Sequence, residues 1–354
     1  MIIKRLKCAG VAAALAGFYV LANAALPSFS VSPASGKYQA AIGLNDAGRY
    51  AVNNFPSDIP YQVAAISGWP VNENVGSLGG AITRIRALNN LGDAVGDSTT
   101  ASGVSHAFLY SSGRMHDLTA RYDVANLTAI NDRGEIAGRT SDYRAAVIRD
   151  GMVDDFGPGN STAVALNGRA DVLVEYFPQG TGLRTAIYSS GTLTDLPLFA
   201  GAPVFGSAIN DAGWVTGYGT NPGERNHAYL YDGETITNLT PSASRSFGYD
   251  INNLGQVVGT ADNRAFLYSD GHLCDLNTLI DPTADLLLTS AIEINNRTQI
   301  LARSCDRAGV FCYGTVLLDP IPAVPEPPAV AMLLLGLTLP LVLYRITGRT
   351  RTAQ

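Results

Sequence analysis

The chain has 354 residues, of which 46% are hydrophobic and 15% charged, with 37 glycines and a formal net charge of −6. The two terminal segments carry mostly positive charge: residues 1–24 hold three bases, and residues 325–354 hold three arginines and one glutamate. The rest of the chain has 18 bases and 29 acids, a net charge near −11. This acidic surface, with no local run of lysine or arginine in the repeats, disfavours nucleic acid and anionic lipid as partners.

The N-terminal segment reads as a secretory signal. Three basic residues precede an apolar run over residues 9–21 and an Ala-x-Ala triplet; the bases are Lys4, Arg5 and Lys7, and the alanines are Ala22 and Ala24. This order predicts a signal helix over residues 1–24 that signal peptidase removes after Ala24. A retained membrane anchor is the alternative, but the apolar run is shorter than the roughly twenty residues that a spanning helix needs.

One short pattern recurs seven times in the body of the chain: an apolar residue, Asn, two variable residues and Gly. The asparagines are Asn45, Asn89, Asn131, Asn167, Asn210, Asn252 and Asn295. The fourth and seventh copies are degraded and carry Ala170 and Thr298 in place of the glycine. Each copy predicts a tight hairpin, because Asn bonds back to its own backbone and Gly accepts the positive φ of the loop.

A second hairpin follows in each copy, as in residues 106–113, which end in a Ser-Gly turn. Each unit of about forty residues therefore supplies four short antiparallel strands. The sequence predicts an all-β domain over residues 25–320, a seven-bladed β-propeller of four-stranded antiparallel blades. An open β-solenoid of the same repeats is the alternative architecture.

The seventh copy lacks a fourth strand before Pro320 and Pro322. An unmatched apolar segment precedes the first copy. We therefore expect residues 26–33 to pair with the strand near Thr315–Leu318, because a closed ring leaves no long exposed sheet edge.

The repeated words His-Ala-Phe, Leu-Tyr and a Ser-Gly turn resemble the HAF extracellular repeat family over most of residues 40–318. The resemblance implies an extracellular repeat of poorly defined activity and assigns no catalytic residue. The His position holds Arg144, Arg184 and Arg264 in other copies, so we expect a polar, outward-facing strand residue there and no metal ligand. The recurring aromatics Tyr110, Tyr188, Tyr231 and Tyr268 are expected to pack between neighbouring blades.

No local catalytic, phosphate-binding or calcium-loop motif occurs in the chain, and no cofactor is predicted. The first strand of each copy should line a central channel. Two places before the seven asparagines stand Gly43, Ala87, Ala129, Ala165, Ala208, Asp250 and Glu293. Asp250 and Glu293 are thus the candidate catalytic or cation-binding pair, facing one another near the channel. The alternative, which we favour, is that both are solvated in a wet channel.

Of the four cysteines, Cys8 lies in the signal segment. In an exported protein, Cys305 and Cys312 are predicted to form a disulfide around a short loop, worth about 2–3 kcal/mol by loop entropy. Cys274 would then remain as a buried, unpaired thiol. Zinc is disfavoured, because no C-x-x-C pair exists and the four histidines are scattered.

The C-terminal segment joins a proline-rich linker at residues 321–328 to an apolar run at residues 329–344 and then three arginines. The apolar run predicts a hydrophobic anchor helix about 24 Å long within residues 329–354, which spans a bilayer only with local thinning or arginine snorkelling. The arginines would hold its end in the cytoplasm.

This arrangement resembles the PEP-CTERM sorting tail of Gram-negative bacteria; the matching residues are Pro325, Glu326, Pro327 and, after the apolar run, Arg345. The resemblance implies recognition by an exosortase, removal of the tail and delivery to the cell surface or extracellular matrix. A plain C-terminal membrane anchor is the alternative.

These observations predict an exported, surface- or matrix-sorted monomeric propeller with a binding or structural role and a polysaccharide or protein ligand. The alternative function is a secreted glycan hydrolase or lyase that acts through the channel carboxylates Asp250 and Glu293.

Overall fold

The computed structural model describes residues 9–10, 27–36, 39–54, 64–67, 72–180, 182–220, 225–309 and 311–322. Most of the predicted signal, the linker beyond Pro322 and the anchor helix lie outside the described residues, as do the processing residues Ala22, Ala24, Pro325, Glu326, Pro327 and Arg345. Over the part of the chain that is described, no helix is long and apolar enough to cross a membrane.

Seven antiparallel sheets form the body of the molecule, and the sequence prediction of a seven-bladed β-propeller is confirmed. Two strands precede the first blade, β1 (Ala9–Gly10) and β2 (Ser28–Pro33). Blade 1 holds β3 (Gln39–Ile42), β4 (Ala51–Asn54), β5 (Ala64–Ile66) and β6 (Glu73–Asn74). Blade 2 holds β7 (Gly79–Leu88), β8 (Ala94–Thr100), β9 (Ser105–Ser111) and β10 (Arg114–Asp117). A short helix, α1 (Thr119–Tyr122), leads to blade 3, with β11 (Val124–Ile130), β12 (Ile136–Thr140), β13 (Ala145–Arg149) and β14 (Met152–Asp155).

The remaining blades repeat this order. Blade 4 holds β15 (Ser161–Leu166), β16 (Val172–Tyr176), β17 (Arg184–Ser189) and β18 (Thr192–Asp195). Blade 5 holds β19 (Val204–Ile209), β20 (Val215–Thr220), β21 (Asn226–Tyr231) and β22 (Ile236–Asn238). Blade 6 holds β23 (Ser246–Ile251), β24 (Val257–Ala261), β25 (Arg264–Ser269) and β26 (His272–Asp275), followed by a 3₁₀ turn at Leu276–Thr278. Blade 7 holds β27 (Leu287–Ile294), β28 (Ile300–Cys305) and β29 (Cys312–Ile321).

The N-terminal strand β2 supplies the fourth strand of blade 7. It pairs antiparallel with β29, in a register that runs from Ser28 opposite Ile321 to Pro33 opposite Val316. The side chain of Phe29 is 2% exposed, and its backbone N–H donates to the Leu279 carbonyl at 2.8 Å. The predicted closure of the ring by residues 26–33 is therefore confirmed.

The hydrophobic core lies between the blades. In one cluster, Leu173 of blade 4 packs with Val204, Val215 and Tyr229 of blade 5. The first strands of neighbouring blades contact each other, from β3 against β7 through to β23 against β27. These first strands therefore surround the axis, and the turns that contain the seven asparagines lie together at one end of it.

The seven Asn turns have the predicted geometry. In each, the N–H of the residue three places after Asn donates to the Asn carbonyl, as in Gly48 to Asn45 at 2.9 Å. That residue has positive φ in every copy, including the degraded ones, where Ala170 (φ 70°) and Thr298 (φ 63°) replace glycine. The repeat thus keeps the turn even where the side chain opposes the backbone conformation.

The described cysteines are all oxidised. Cys305 and Cys312 form a disulfide between the facing ends of β28 and β29. Cys274 is buried, but the expectation of an unpaired thiol is wrong, because Cys274 is disulfide-bonded. Beside it, Ala9 of β1 pairs with Leu273 of β26.

Candidate functional site

The seven repeat asparagines form a closed ring of hydrogen bonds around the axis. Each side-chain Nδ2 donates to the backbone carbonyl of the equivalent asparagine in the next blade, at 2.8–3.1 Å. The last member, Asn295, donates to Asn45 of the first blade, so the cycle is complete. Each Oδ1 accepts from the backbone N–H groups two and four residues later, at 2.8–3.1 Å.

These asparagines are committed to the scaffold. Their side chains are only 3–6% exposed. Each Oδ1 has both of its acceptor sites filled, and each Nδ2 makes at least one hydrogen bond inside the protein, so these side chains retain little bonding capacity for a ligand. The asparagine recurs in every copy because its side chain joins each blade to the next.

A cavity of about 400 Å³ opens at the Asn ring, and it is lined by the residue before Asn, Asn itself and the residue after it from all seven blades. The residues after Asn form the rim: Asp46, Asn90, Asp132, Gly168, Asp211, Asn253 and Asn296. Their side chains bond to neighbours in the rim, as where Asp46 accepts from the backbone N–H of Asn296 at 2.8 Å. The rim contains three carboxylates and no cation.

The sequence predicts that Asp250 and Glu293 line the channel, but neither lines this cavity. Each reaches across a blade boundary to the backbone of the next first strand. Asp250 accepts from the backbone N–H of Ile294 at 2.8 Å, and Glu293 accepts from Gly43 at 2.8 Å and Leu44 at 2.5 Å. The two carboxylates therefore join blade 6 to blade 7 and blade 7 to blade 1, where the ring closes.

Both carboxylates are difficult to ionise. Burial, together with the nearby charge of Glu293, raises the pKa of Asp250 to about 7. Burial also raises the pKa of Glu293. The interpretation as freely solvated groups is thus wrong, because their surroundings disfavour the charged form.

These shifts predict that stability decreases as the pH rises. The folded state binds the Asp250 proton more tightly than the unfolded chain does, because the pKa of an aspartate in the unfolded chain is near 4. The stabilisation that this proton gives is fully present below pH 4 and is lost as the pH rises towards 7. We expect the free energy of unfolding to fall over this window by about 2–4 kcal/mol more in the wild type than in Asp250→Asn, which cannot titrate. Urea unfolding of both proteins between pH 4 and 8 measures the difference, and parallel curves would contradict it.

The position of the HAF histidine has a structural role in three copies. It pairs with an aspartate on the adjacent outer strand: His106 with Asp117 at 2.7 Å, Arg144 with Asp155 at 2.8 Å and Arg264 with Asp275 at 2.5 Å. A nitrogen donor of either type can bond to the aspartate, which explains why His and Arg alternate. In blade 5 the expectation of an outward-facing residue is wrong, because His227 is buried and its Nδ1 lies 3.2 Å from the Thr240 carbonyl.

The four recurring tyrosines pack in clusters that join neighbouring blades, so this expectation is confirmed. The Tyr110 hydroxyl donates to Glu73 of blade 1 at 2.5 Å. The Tyr188 ring stacks on Phe156, which follows blade 3, with centroids 3.7 Å apart.

The opposite ends of the first two strands carry the variation between blades. We define the distal level as the seven cross-strand pairs formed by the residue five places before each ring asparagine and the residue eight places after it. The pairs are Ala40–Asn53, Arg84–Asp97, Asn126–Arg139, Thr162–Glu175, Phe205–Tyr218, Phe247–Thr260 and Ser290–Arg303. Five residues of strand place this level about 16 Å from the Asn ring. The two ends of the propeller therefore differ: the residues at the Asn end are repeated from blade to blade, whereas the residues at the distal end change from blade to blade.

Four aromatic side chains of blades 5 and 6 form a continuous patch, three of them at the distal level and the fourth, Tyr249, two residues along β23 from Phe247. We call Phe205, Tyr218, Phe247 and Tyr249 the aromatic patch. The Phe205 and Tyr218 rings stack at 4.6 Å between centroids, Tyr218 meets Phe247 edge-on at 4.9 Å, and Phe247 and Tyr249 lie parallel at 6.1 Å. All four remain partly or fully accessible, and Tyr249 is 37% exposed. None belongs to a hydrophobic core cluster of the described residues.

Charged side chains flank the aromatic patch. The Arg245 guanidinium lies over the Phe247 ring, with Cζ 4.8 Å from the centroid. Arg303 in the adjacent blade 7 is exposed. On the blade 4 side, Glu175 accepts from the backbone N–H of Gly206 at 3.1 Å, and burial raises its pKa. Where the structure is described, no group of three or more His, Cys, Asp or Glu side chains is placed to hold a metal ion.

No protein-family model matches the chain, and no curated protein is significantly similar to it in sequence. Its fold matches solved structures at low identity. The β-propeller domain of the Trilobed protease from Pyrococcus furiosus, described as having an open velcro topology, matches with a TM-score of 0.51 and 10% identity over 82% of this chain and 100% of that one. The Pyrococcus horikoshii acylaminoacyl peptidase matches with a TM-score of 0.54 and 11% identity over 82% of this chain and 53% of the peptidase. The chain thus spans about half the length of that peptidase, and these matches show the propeller fold alone.

Proposed function

We propose that this chain is an exported, surface- or matrix-delivered propeller that binds a ligand at its distal level and performs no catalysis. The contrast between the two ends of the first strands carries this proposal. At the Asn end, repeated side chains bond to one another and hold the ring together. At the distal end, described residues of blades 5 and 6 form an aromatic patch while the distal pairs of the other five blades contain no aromatic residue, which is the asymmetry expected of a binding surface built on a repetitive scaffold.

The arrangement of the candidate carboxylates supports a non-catalytic role. A general acid or base must reach a substrate atom within hydrogen-bonding distance. Asp250 and Glu293 instead accept backbone hydrogen bonds from the next blade. A glycan hydrolase or lyase that used this pair would have to release both groups from the contacts that close the ring.

The enzyme alternative is tested by the double variant Asp250→Asn and Glu293→Gln, assayed by chromatography of acidic and neutral polysaccharides after incubation with the protein. We expect no chain cleavage by the wild type. Cleavage that is lost in the double variant, while circular dichroism shows an intact fold, would establish the enzyme and overturn the proposal.

The export proposal rests on the signal-like residues 1–24 and on the PEP-CTERM-like tail. We expect mass spectrometry of the protein from its host to find Ala25 at the N-terminus and a C-terminus upstream of residue 329. Glu326→Ala should retain the tail, as should loss of the sorting enzyme, whereas Arg349→Ala is the matched control outside the Pro-Glu-Pro motif. An unprocessed protein in the cytoplasm of wild-type cells would contradict this proposal.

A further inference from the structure

We propose that the distal level of blades 5 to 7 binds an acidic polysaccharide, whose sugar rings stack on the aromatic patch while its carboxylates pair with Arg245 and Arg303. This inference rests on the proposed binding function and names its ligand class. It has three supports: the distribution of aromatics over the seven repeats, the accessibility of the rings, and the charge around them.

The distribution of aromatics separates a ligand site from ordinary blade packing. The asparagines that join the blades at the other end recur in all seven copies. The distal pairs of blades 1 to 4 and blade 7 contain no aromatic residue. Those blades pack without one, so the scaffold does not require Phe205, Tyr218 or Phe247.

The aromatic rings of the patch are accessible enough for a sugar ring to stack on them. Large aromatic residues that serve the core are buried, as Phe108 and Tyr229 are at 0% exposure. The patch rings instead lie at the surface, in contact mainly with each other, and run from β19 and β20 across to β23. The apolar C–H face of a pyranose packs on the electron-rich face of an aromatic ring, and a row of rings accommodates successive sugars along a chain.

The charge around the patch selects an acidic chain. Arg245 keeps its guanidinium over Phe247, while Asp262 bonds to the backbone N–H groups of Ser244 and Arg245 at 3.0 and 3.1 Å. Arginine binds carboxylates through paired N–H donors, and its planar group also stacks on aromatic rings. Arg303 is a second exposed arginine, in the distal pair of the adjacent blade 7. The cavity at the Asn ring, with three carboxylates and no cation, would repel the same ligand.

The distal level as a whole also carries a net positive charge. Arg84, Arg86 and Arg139 lie on blades 2 and 3, on the other side of the ring, and Asp97 and Glu175 are the acids of the distal pairs. Arg86 pairs with Asp97 at 2.8 Å, so that acid is partly neutralised. An otherwise acidic protein thus gathers arginines from four blades, 2, 3, 6 and 7, towards one mouth, where they raise the local concentration of an anionic chain.

The test measures binding of three probes to the full chain by isothermal titration calorimetry: a galacturonate oligosaccharide, a neutral maltooligosaccharide of equal length and an oligothymidylate. We expect the galacturonate probe to bind at least about tenfold more tightly than either of the others, with an affinity that falls as salt rises. Equal binding of the neutral sugar would overturn the acidic specificity, and tighter binding of oligothymidylate or no binding of galacturonate would overturn the ligand class.

Matched variants locate the site. Tyr249→Ala and Phe247→Ala should each weaken galacturonate binding about tenfold or more, and Tyr249→Phe should retain it. Phe177→Ala is the control, because Phe177 is 52% exposed but lies outside the patch. Arg303→Gln should weaken binding of the acidic probe and reduce its salt dependence without changing the neutral one. An equal loss in Phe177→Ala, or none in the patch variants, would contradict the assignment.

The export result and the binding result are independent. If the mature termini are as expected but galacturonate does not bind, the ligand assignment fails and the delivery proposal stands. If the protein is not exported but galacturonate binds, the reverse holds.

Discussion

Asn210→Ala is expected to lower the free energy of unfolding by about 3–5 kcal/mol. The Asn210 Oδ1 accepts from the backbone N–H groups of Ala212 and Trp214 at 3.0 and 2.9 Å, and its Nδ2 donates to the Asn252 carbonyl at 3.0 Å. Alanine removes all three hydrogen bonds and leaves the two backbone donors without partners, while the Asn252 carbonyl keeps only its bond from the Gly255 N–H. Urea denaturation followed by circular dichroism measures the loss.

Asn253→Ala is the matched control for Asn210→Ala, since it removes an asparagine of the same blade boundary that is exposed on the rim. Its side chain accepts from the backbone N–H of Asp211 at 2.8 Å and donates to the Asp211 carboxylate at 2.6 Å. Water can replace these bonds, so we expect a loss below about 1 kcal/mol. Similar losses in the two variants would show that the buried ring contributes no more than the rim does.

Phe29→Ala is expected to lower the free energy of unfolding by about 3–5 kcal/mol, the usual cost of a large cavity in a core. Phe29 packs in the cluster that contains Leu276, Ile280 and Leu318, and it is the buried aromatic residue of the closing strand β2. Its loss both opens a cavity and weakens the attachment of β2. Because release of β2 exposes an edge of β29, we also expect faster aggregation on heating, measured by light scattering.

Ser30→Ala serves as the control for the closing strand. Ser30 is exposed and contributes one long hydrogen bond, 3.4 Å to the Asp319 carbonyl. We expect no change beyond about 0.5 kcal/mol. If Phe29→Ala were equally silent, β2 would not be required for the stability of the ring.

The fold could be predicted from the sequence because its determinants are local and repeated. Within each copy, Asn bonds to backbone groups two and four residues away, so a few consecutive residues determine the turn. The spacing of Asn45 and its six equivalents then sets the number of blades. The closing strand was predictable for the same reason, since the seventh copy lacked a strand and an unmatched apolar segment was available.

The roles of Asp250 and Glu293 could not be predicted in the same way. Their partners lie in the next blade, at Ile294 and at Gly43 and Leu44, which are 44 to 250 residues away in the chain. A position two residues before Asn indicates the strand but not whether a long side chain turns towards the axis or across the boundary between blades.

The aromatic patch was missed because no segment of the sequence displays it. Phe205, Tyr218, Phe247 and Tyr249 come from three strands in two blades. The signal was present in the repeat alignment, where the positions five before and eight after each Asn change character from copy to copy. Comparison of those positions, in addition to the one two places before Asn, would have shown that aromatics cluster in copies five and six.

The position of β29 determines how the propeller responds to a mechanical load. Because β2 covers its outer side and β28 its inner side, β29 is an interior strand, and it is the strand that continues into Pro322. Antiparallel hydrogen bonds lie perpendicular to the strand, so tension along β29 loads two ladders in shear at once and cannot peel them apart one bond at a time. A pull on the C-terminal side of β29 is therefore resisted by both ladders together.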